Sequence, residues 1–124
     1  MKKILVIDDD ELFISFLSQS LARSTQVAFE GTSAPKEALK WLIGGSKYNA
    51  IICDQSMPGM TGLEFFNRLK IESPEHASRV LFISGDEPNA GVKDLIAKGQ
   101  VQWLSKPFQN KDLIAKVEAL IALK

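Results

Sequence analysis

The sequence predicts an α/β domain: a doubly wound parallel sheet of five strands with five helices on its two faces. Three observations carry this. Short apolar runs alternate with stretches of helical periodicity along the whole chain, and the connections between them are short. Two of the runs, Ile4-Leu5-Val6-Ile7 and Val80-Leu81-Phe82-Ile83, are apolar throughout. A strand that is apolar at every position is buried on both faces, as in parallel sheets whose crossover helices cover each side. Strand–helix alternation with right-handed crossovers then defines the architecture.

The first strand ends in Asp8-Asp9-Asp10-Glu11. Phe13, Phe16, Leu17 and Leu21 follow at spacings of three and four, which predicts an amphipathic helix to about Arg23. Val27 and Phe29 alternate with polar residues between Gln26 and Glu30, a short strand nearer an edge. Ser33 reads as the N-cap of the second helix, with Pro35 in its first turn. Ala38, Leu39, Trp41 and Leu42 form its buried face, and Gly44-Gly45 stops it.

Tyr48 to Cys53 is the third strand and leads into Asp54. Pro58 and Gly59 force a turn, and Thr61 with Glu64 forms a capping box that opens the third helix. Leu63, Phe66 and Leu69 face inward from it, and Ser73-Pro74-Glu75-His76 reads as loop. The fourth strand, Val80 to Ile83, ends at Ser84-Gly85-Asp86. Pro88 opens a helix carrying Val92, Leu95 and Ile96, closed by Gly99. Val101 to Leu104 is the fifth strand, before Ser105-Lys106-Pro107-Phe108. The last helix, with Asn110 as cap, repeats Leu113, Val117, Leu120 and Ile121.

At 124 residues the chain reads as one domain, residues 1–124, able to bury a core without disulfides or structural metal. Fifteen basic residues balance fifteen acidic ones, which argues against a domain built to coat nucleic acid or an anionic membrane. A single cysteine excludes an intramolecular disulfide and fits a reducing compartment. Met1-Lys2-Lys3 is followed by only four apolar residues, too few for a signal peptide or a membrane span. The expected location is cytoplasmic.

Open sheets of this kind bind ligands beyond the carboxyl ends of their strands. Asp8 and Asp9 end the first strand, Asp54 the third and Ser84 the fourth, while Lys106 lies just beyond the fifth. Each has a plain structural reading by itself. The acidic run suits a helix N-terminus, Ser84-Gly85 an ordinary turn, Lys106 a surface position and Trp103 a sheet edge. Cys53 reads as a small core residue, and His76 as solvated surface at the far end of the sheet. Four independent segments delivering such groups to one rim are far more specific than any one of them.

Three crowded carboxylates, Asp8, Asp9 and Asp54, repel and partly protonate unless a cation is present. Oxygen ligands without His or Cys suit a hard divalent ion, Mg²⁺ before Ca²⁺, with a phosphate partner. Lys106 and Ser84 would neutralise the oxygens of a phosphoryl group in flight. A carboxylate must then be the nucleophile, and Asp54, central among the strand ends, is the expected one, forming an aspartyl phosphate.

These residues resemble the receiver domain of two-component response regulators along the whole chain. Ile4-Leu5-Val6-Ile7-Asp8-Asp9 is similar to that family's opening strand and acidic pair, and Asp54 with Met57-Pro58-Gly59 and Gly62 to its phosphoacceptor loop. Ser84 stands at its Ser/Thr switch position, Trp103 at its switch aromatic, and Lys106-Pro107-Phe108 at its lysine and following proline. The resemblance implies a flavodoxin-like strand order of 2-1-3-4-5. It implies Mg²⁺ held by Asp8, Asp9, Asp54 and the backbone carbonyl of Ser56, and phosphoryl transfer to Asp54 from a histidine kinase, a phosphotransfer protein or a small phosphodonor. It also implies a switch through Ser84 and Trp103 toward a downstream protein or fused output domain, and not a turnover enzyme. Trp103 is larger than the usual Tyr or Phe, and Gly99-Gln100-Val101-Gln102 replaces a more usual Gly-Ala pair. The Asp54 to Gly62 wording is similar to receivers embedded in larger signalling proteins.

Two rivals are set beside it. A haloacid-dehalogenase-like phosphatase would use Asp8-Asp9-Asp10, Ser84 and Lys106, but needs a further acidic pair at a strand end, where only Asp112 and Glu118 follow, in a helix. It also leaves Asp54 and Met57-Pro58-Gly59 unexplained. A receiver-like module that is never phosphorylated is the other, although all five site positions carry competent residues.

Overall fold

The computed structural model describes residues 2–24 and 26–123; Met1, part of the opening segment considered above, lies outside them. Five strands, β1 (Lys2–Ile7), β2 (Val27–Thr32), β3 (Ala50–Cys53), β4 (Val80–Ser84) and β5 (Gln102–Ser105), pair in parallel in the order β2-β1-β3-β4-β5. The helices are α1 (Glu11–Ser24), α2 (Pro35–Ile43), α3 (Gly62–Glu72), α4 (Pro74–Ala77), α5 (Ala90–Ala97) and α6 (Asn110–Ile121). The order reverses at β1, where chain progress turns from the β2 edge toward β3, so the carboxyl ends of β1 and β3 flank a crevice.

Alternation along the strands divides the core in two. Leu5, Ile7, Ile51, Cys53, Val80 and Phe82 pack against α2, α3 and α5 through Leu39, Phe65, Phe66, Leu69 and Val92. Ile4, Val6, Ala50, Ile52, Leu81 and Ile83 pack against α1 and α6 through Leu17, Leu21, Leu113 and Val117. Because both faces are covered, the runs at β1 and β4 had to be apolar without interruption.

Local chemistry departs from the sequence reading at several element ends. The Thr61–Glu64 capping box is present, with the Glu64 N–H donating to Thr61 Oγ1 at 3.1 Å and the Thr61 N–H to Glu64 Oε1 at 3.0 Å. Ser33 does not cap α2: Ala34 holds the cap position and Thr32 Oγ1 accepts the Ala34 N–H at 3.1 Å. Asn89, one residue after Pro88, caps α5 by accepting the Val92 N–H at 2.9 Å. Asn110 is the first residue of α6, preceded by Gln109, which makes no side-chain cap bond. Phe16 is half exposed, because the α1 stripe that reaches the sheet runs through Leu17 and Leu21.

The described residues form six helices where five were expected. The added turn, α4, occupies the segment read as a loop, and His76 on it is 2% exposed, not solvated. His76 Nε2 accepts the Tyr48 backbone N–H at 3.1 Å, so the ring proton sits on Nδ1 and faces Ser73 Oγ at 2.7 Å. The Ser73 hydroxyl in turn donates to Glu75 Oε1 at 3.1 Å. A lone histidine between polar neighbours carries no periodic signal, so its burial was invisible in the sequence.

Burial holds the His76 ring below its ordinary pKa of 6.5. Protonation would set a second N–H against that of Tyr48. With the folded value depressed, the stability contributed by the neutral ring is present above about pH 6.5 and lost as pH falls toward the folded value. The wild type is expected to lose more stability than His76→Gln between about pH 7 and pH 5, with a slope of at most ~1.4 kcal/mol per pH unit. Urea denaturation of both proteins across that range checks this; parallel pH profiles would refute it.

Candidate functional site

The carboxyl ends of β1 and β3 place three acids together. Asp8 follows β1, its N–H donating to Thr32 O at 3.3 Å, and Asp54 follows β3, its N–H donating to Ile7 O at 3.0 Å. Backbone pairing thus carries β1 and β3 past their last ladder residues and fixes both aspartates. Carboxylate oxygens of Asp8, Asp9 and Asp54 all lie within 4.8 Å of one another. Asp8 is buried, Asp54 partly buried and Asp9 exposed, so the cluster opens to solvent on the Asp9 side.

The electrostatics are those of a site short of positive charge. Burial pushes the Asp8 carboxyl up; the Asp10 N–H, which donates to Asp8 Oδ1 at 2.9 Å, and Lys106 pull it back, while Asp54 and Asp9 push it further up. Burial likewise raises Asp54 against the lowering effect of the Ser56 N–H, 3.4 Å from Asp54 Oδ1, and of Lys106. In both residues the raising effects win.

Lys106 is the one cation that reaches the acids among the described residues' ion pairs. Its Nζ lies 3.5 Å from Asp8 Oδ2 and 3.9 Å from the centre of the Phe13 ring. Phe13, packed edge-on against Phe108, presents its ring face to the ammonium. The backbone N–H of Lys106 donates to Ser84 O at 2.8 Å, which locks the β5 exit to the β4 exit.

Ser84 is buried, and its Oγ accepts the Asp86 N–H at 3.2 Å. Trp103 is partly buried on β5 opposite Phe82, its Nε1 donating to Ser105 Oγ at 2.9 Å. Ser84 lies two residues beyond Phe82, so Ser84 and Trp103 share the α2–α3–α5 face.

The loop between β3 and α3 is built for close approach. Gly62 donates its N–H to Gln55 O at 2.8 Å, and a Cβ there would stand 2.6 Å from Asp54 O and 2.8 Å from Phe82 Cε1. Gly59 takes a φ of +80°, and Met57 is buried beneath the turn. Cys53 is fully buried; burial pushes its thiol well up, and it donates to Asp54 O at 3.2 Å as a core residue.

Of the sequence-nominated side chains, Asp8, Asp9, Asp54, Ser84 and Lys106 lie at or just beyond the carboxyl ends of their strands, while Trp103 lies within β5, two residues before its end. Two contributors escaped sequence reading. Phe13 was read only as a core position, and Gln55 drew no reading of its own, yet Gln55 is 4% exposed with its side chain bonded at both ends of the amide. Asp112 and Glu118, the acids a phosphatase would need, are exposed on α6.

The description of the response regulator receiver domain matches residues 4–118. The chain belongs to that family. Receivers of two-component systems are phosphoacceptor switches, and this chain is one of them. It is similar to the transcriptional regulatory protein CrdR of Helicobacter pylori, 31% identical over 124 residues that cover 94% of this chain and 54% of that protein. Among solved structures, the Vibrio cholerae chemotaxis protein CheY4 superposes with a TM-score of 0.82 at 26% identity, covering 97% of this chain and 98% of that one. A receiver domain of a Pseudomonas aeruginosa sensor histidine kinase, solved with magnesium in its active-site cleft, shares the fold at a TM-score of 0.82 and 16% identity, with 98% of each chain covered. The receiver spans about half the length, or less, of the curated relatives it matches. No helix among the described residues is long and apolar enough to cross a membrane.

Proposed function

We propose that residues 1–124 act as one receiver domain in which Asp54 accepts the phosphoryl group, Lys106 and Ser84 assist, and Ser84 with Trp103 relays the change. The observation that carries this is the convergence of Asp8, Asp9 and Asp54 within 4.8 Å, with Lys106 drawn onto Asp8. An all-oxygen cluster in which burial pushes Asp8 and Asp54 up fits a hard divalent cation. Mg²⁺ would be held by Asp8, Asp9, Asp54 and the Ser56 carbonyl, and when bound it supplies the charge that keeps three acids ionised beside a phosphoryl group.

An Asp54 carboxylate oxygen attacks phosphorus, and the bond from phosphorus to the donor breaks with its electron pair leaving on the donor. The donor is a phosphohistidine of a histidine kinase or phosphotransfer protein, or a small acyl phosphate. Lys106 exchanges Asp8 for a phosphoryl oxygen, a short move across the Phe13 ring. Ser84 turns its hydroxyl from Asp86 to donate to another phosphoryl oxygen. Its departure frees space for Trp103, which gives up Ser105 and changes the α5–β5–α6 face. Hydrolysis of the acyl phosphate uses the same groups, so the domain assists both its own phosphorylation and its own dephosphorylation. The reader of the changed face is a downstream protein or a fused output domain.

Incubation with Mg²⁺ and a small acyl phosphate is expected to add one hydroxylamine-labile phosphoryl group and to change Trp103 fluorescence over the Trp41 background. No uptake under conditions that label another receiver would overturn the reading in favour of a module that is never phosphorylated.

A further inference from the structure

We propose that Gln55 is a positioning residue that ties the phosphoacceptor loop to the β4–α5 loop and holds the switch in its resting arrangement. This rests on the reading of Asp54 as phosphoacceptor. Gln55 follows Asp54 directly, and its buried amide spans to a segment more than thirty residues away, where Nε2 donates to Glu87 O at 2.9 Å and Oε1 accepts the Asn89 N–H at 2.8 Å. Donor and acceptor of one rigid amide thus grip two backbone groups of the same loop.

The grip continues into α5. Asn89 is the cap of that helix, its side chain accepting the Val92 N–H at 2.9 Å and its carbonyl accepting the Lys93 N–H at 2.8 Å. Gly91, in the first turn, approaches α3 so closely that a Cβ would stand 2.5 Å from Leu63 Cδ2. The start of α5 therefore packs on α3 at Leu63 and is bonded to the Gln55 amide.

Two separate anchors fix this loop beside the acids. One is Ser84 Oγ accepting the Asp86 N–H at 3.2 Å; the other is Gln55. Turning Ser84 toward a phosphoryl group on Asp54 releases the first and leaves the second in place. Gln55 then opposes movement of residues 87–89 and of the α5 N-terminus, and it sets how far the population shifts for a given phosphoryl contact. Truncating Gln55 removes both hydrogen bonds from the resting arrangement, so the balance moves toward the active one.

The test compares wild type, Gln55→Ala and Gln55→Glu, all retaining Asp54, by tryptophan fluorescence titration with beryllium fluoride in saturating Mg²⁺ and by amide hydrogen exchange over residues 86–92. Beryllium fluoride serves as the phosphoryl mimic. Gln55→Ala is expected to bind it on the order of tenfold more tightly and to exchange the Asn89 amide faster, since two resting-state hydrogen bonds are gone. Gln55→Glu keeps an acceptor for the Asn89 N–H but sets a carboxylate oxygen against the Glu87 carbonyl, so the Asn89 amide is expected to exchange faster in it as well. Affinity of Gln55→Ala within about twofold of wild type, or weaker, overturns the proposal, because a purely structural glutamine would change melting and not this ratio. A wild type that binds no beryllium fluoride and takes up no phosphoryl group condemns the Asp54 reading instead.

Discussion

The Asp54→Asn variant is expected to take up no phosphoryl group and, in metal-free buffer, to be more stable than the wild type. The first half follows from chemistry, since an uncharged amide is no nucleophile toward phosphorus at neutral pH. The second follows from the direction in which burial moves the acid. Asp54 has its pKa raised in the folded state. The stability it contributes is therefore present below the unfolded value of 3.8 and lost as pH rises through the folded value. At neutral pH the ionised carboxylate opposes folding, and asparagine removes that opposition at nearly constant shape. Partial exposure limits the gain to about 1 kcal/mol, or roughly 4 °C in melting temperature for a domain of this size.

Mg²⁺ is expected to invert the ranking by stabilising the wild type more than the variant. Mass spectrometry after treatment with an acyl phosphate, and thermal melts in chelator and in Mg²⁺, read both halves. Stoichiometric phosphorylation of Asp54→Asn would place the acceptor elsewhere in the acidic cluster. A variant less stable than wild type in chelator would show that the acid is compensated in a way the present geometry does not contain.

Gly62→Ala is expected to be the most damaging single methyl in the molecule. Its Cβ would meet Asp54 O at 2.6 Å, Phe82 Cε1 at 2.8 Å and Gln55 Cα at 3.0 Å. None of these is the loose end of a side chain. Asp54 O belongs to the backbone at the exit of β3, Phe82 is fully buried, and Gln55 is anchored through the Gly62 N–H itself. Relieving the contact with Asp54 O shifts Asp54 relative to Asp8 and Asp9 or displaces the start of α3. A loss of about 3 kcal/mol follows from overpacking at so tight a contact, out of ~5–15 kcal/mol for a domain.

Phosphorylation is expected to slow along with it, because the displaced acid leaves the cluster. Gly59→Ala provides the comparison: its φ of +80° costs about 1 kcal/mol, yet nothing lies within 4 Å of the added atom. Gly85→Ala, in open space without a positive φ, should be nearly silent. Urea denaturation ranks the three. Gly62→Ala as mild as Gly59→Ala would mean that the β3–α3 loop is softer than its contacts imply.

These two positions also show how differently residues advertise themselves in a sequence. Asp54 was legible because it interrupts a strand-to-turn transition that other strand ends repeat with Asp8, Ser84 and Lys106. Gly62 was legible only as part of a motif; the reason for it, the approach of two backbones and a ring, exists only in three dimensions. Gln55 was passed over and His76 misread for a related cause. A buried polar side chain carries no hydrophobic periodicity, and what makes its burial tolerable is a partner far along the chain, such as Glu87 and Asn89 for Gln55 or Tyr48 for His76.

The helix caps went wrong over shorter distances. Ser33, Pro88 and Asn110 were each placed within a residue or two of the true boundary. Cap choice depends on which side chain reaches a particular N–H, and Thr32 and Asn89 did so where the nominated residues did not. Phe16 lies on the same α1 face by spacing as Leu17, yet the line where the helix meets the sheet passes beside it.

By itself the sequence determined the layering, the number and direction of the strands, and the rim where the candidate site groups gather. Apolar runs and their periods are local properties, and a parallel sheet converts them directly into buried strands and covering helices. Only the tertiary structure decided which partners the site groups hold at rest. Lys106 sits on Asp8 over Phe13, Ser84 faces Asp86, and Gln55 clasps the loop ahead of α5. The Lys106 and Gln55 pairings join residues tens of positions apart, and no local preference encodes them. They arise when packing brings a donor and an acceptor to the same few ångströms of a crowded strand end.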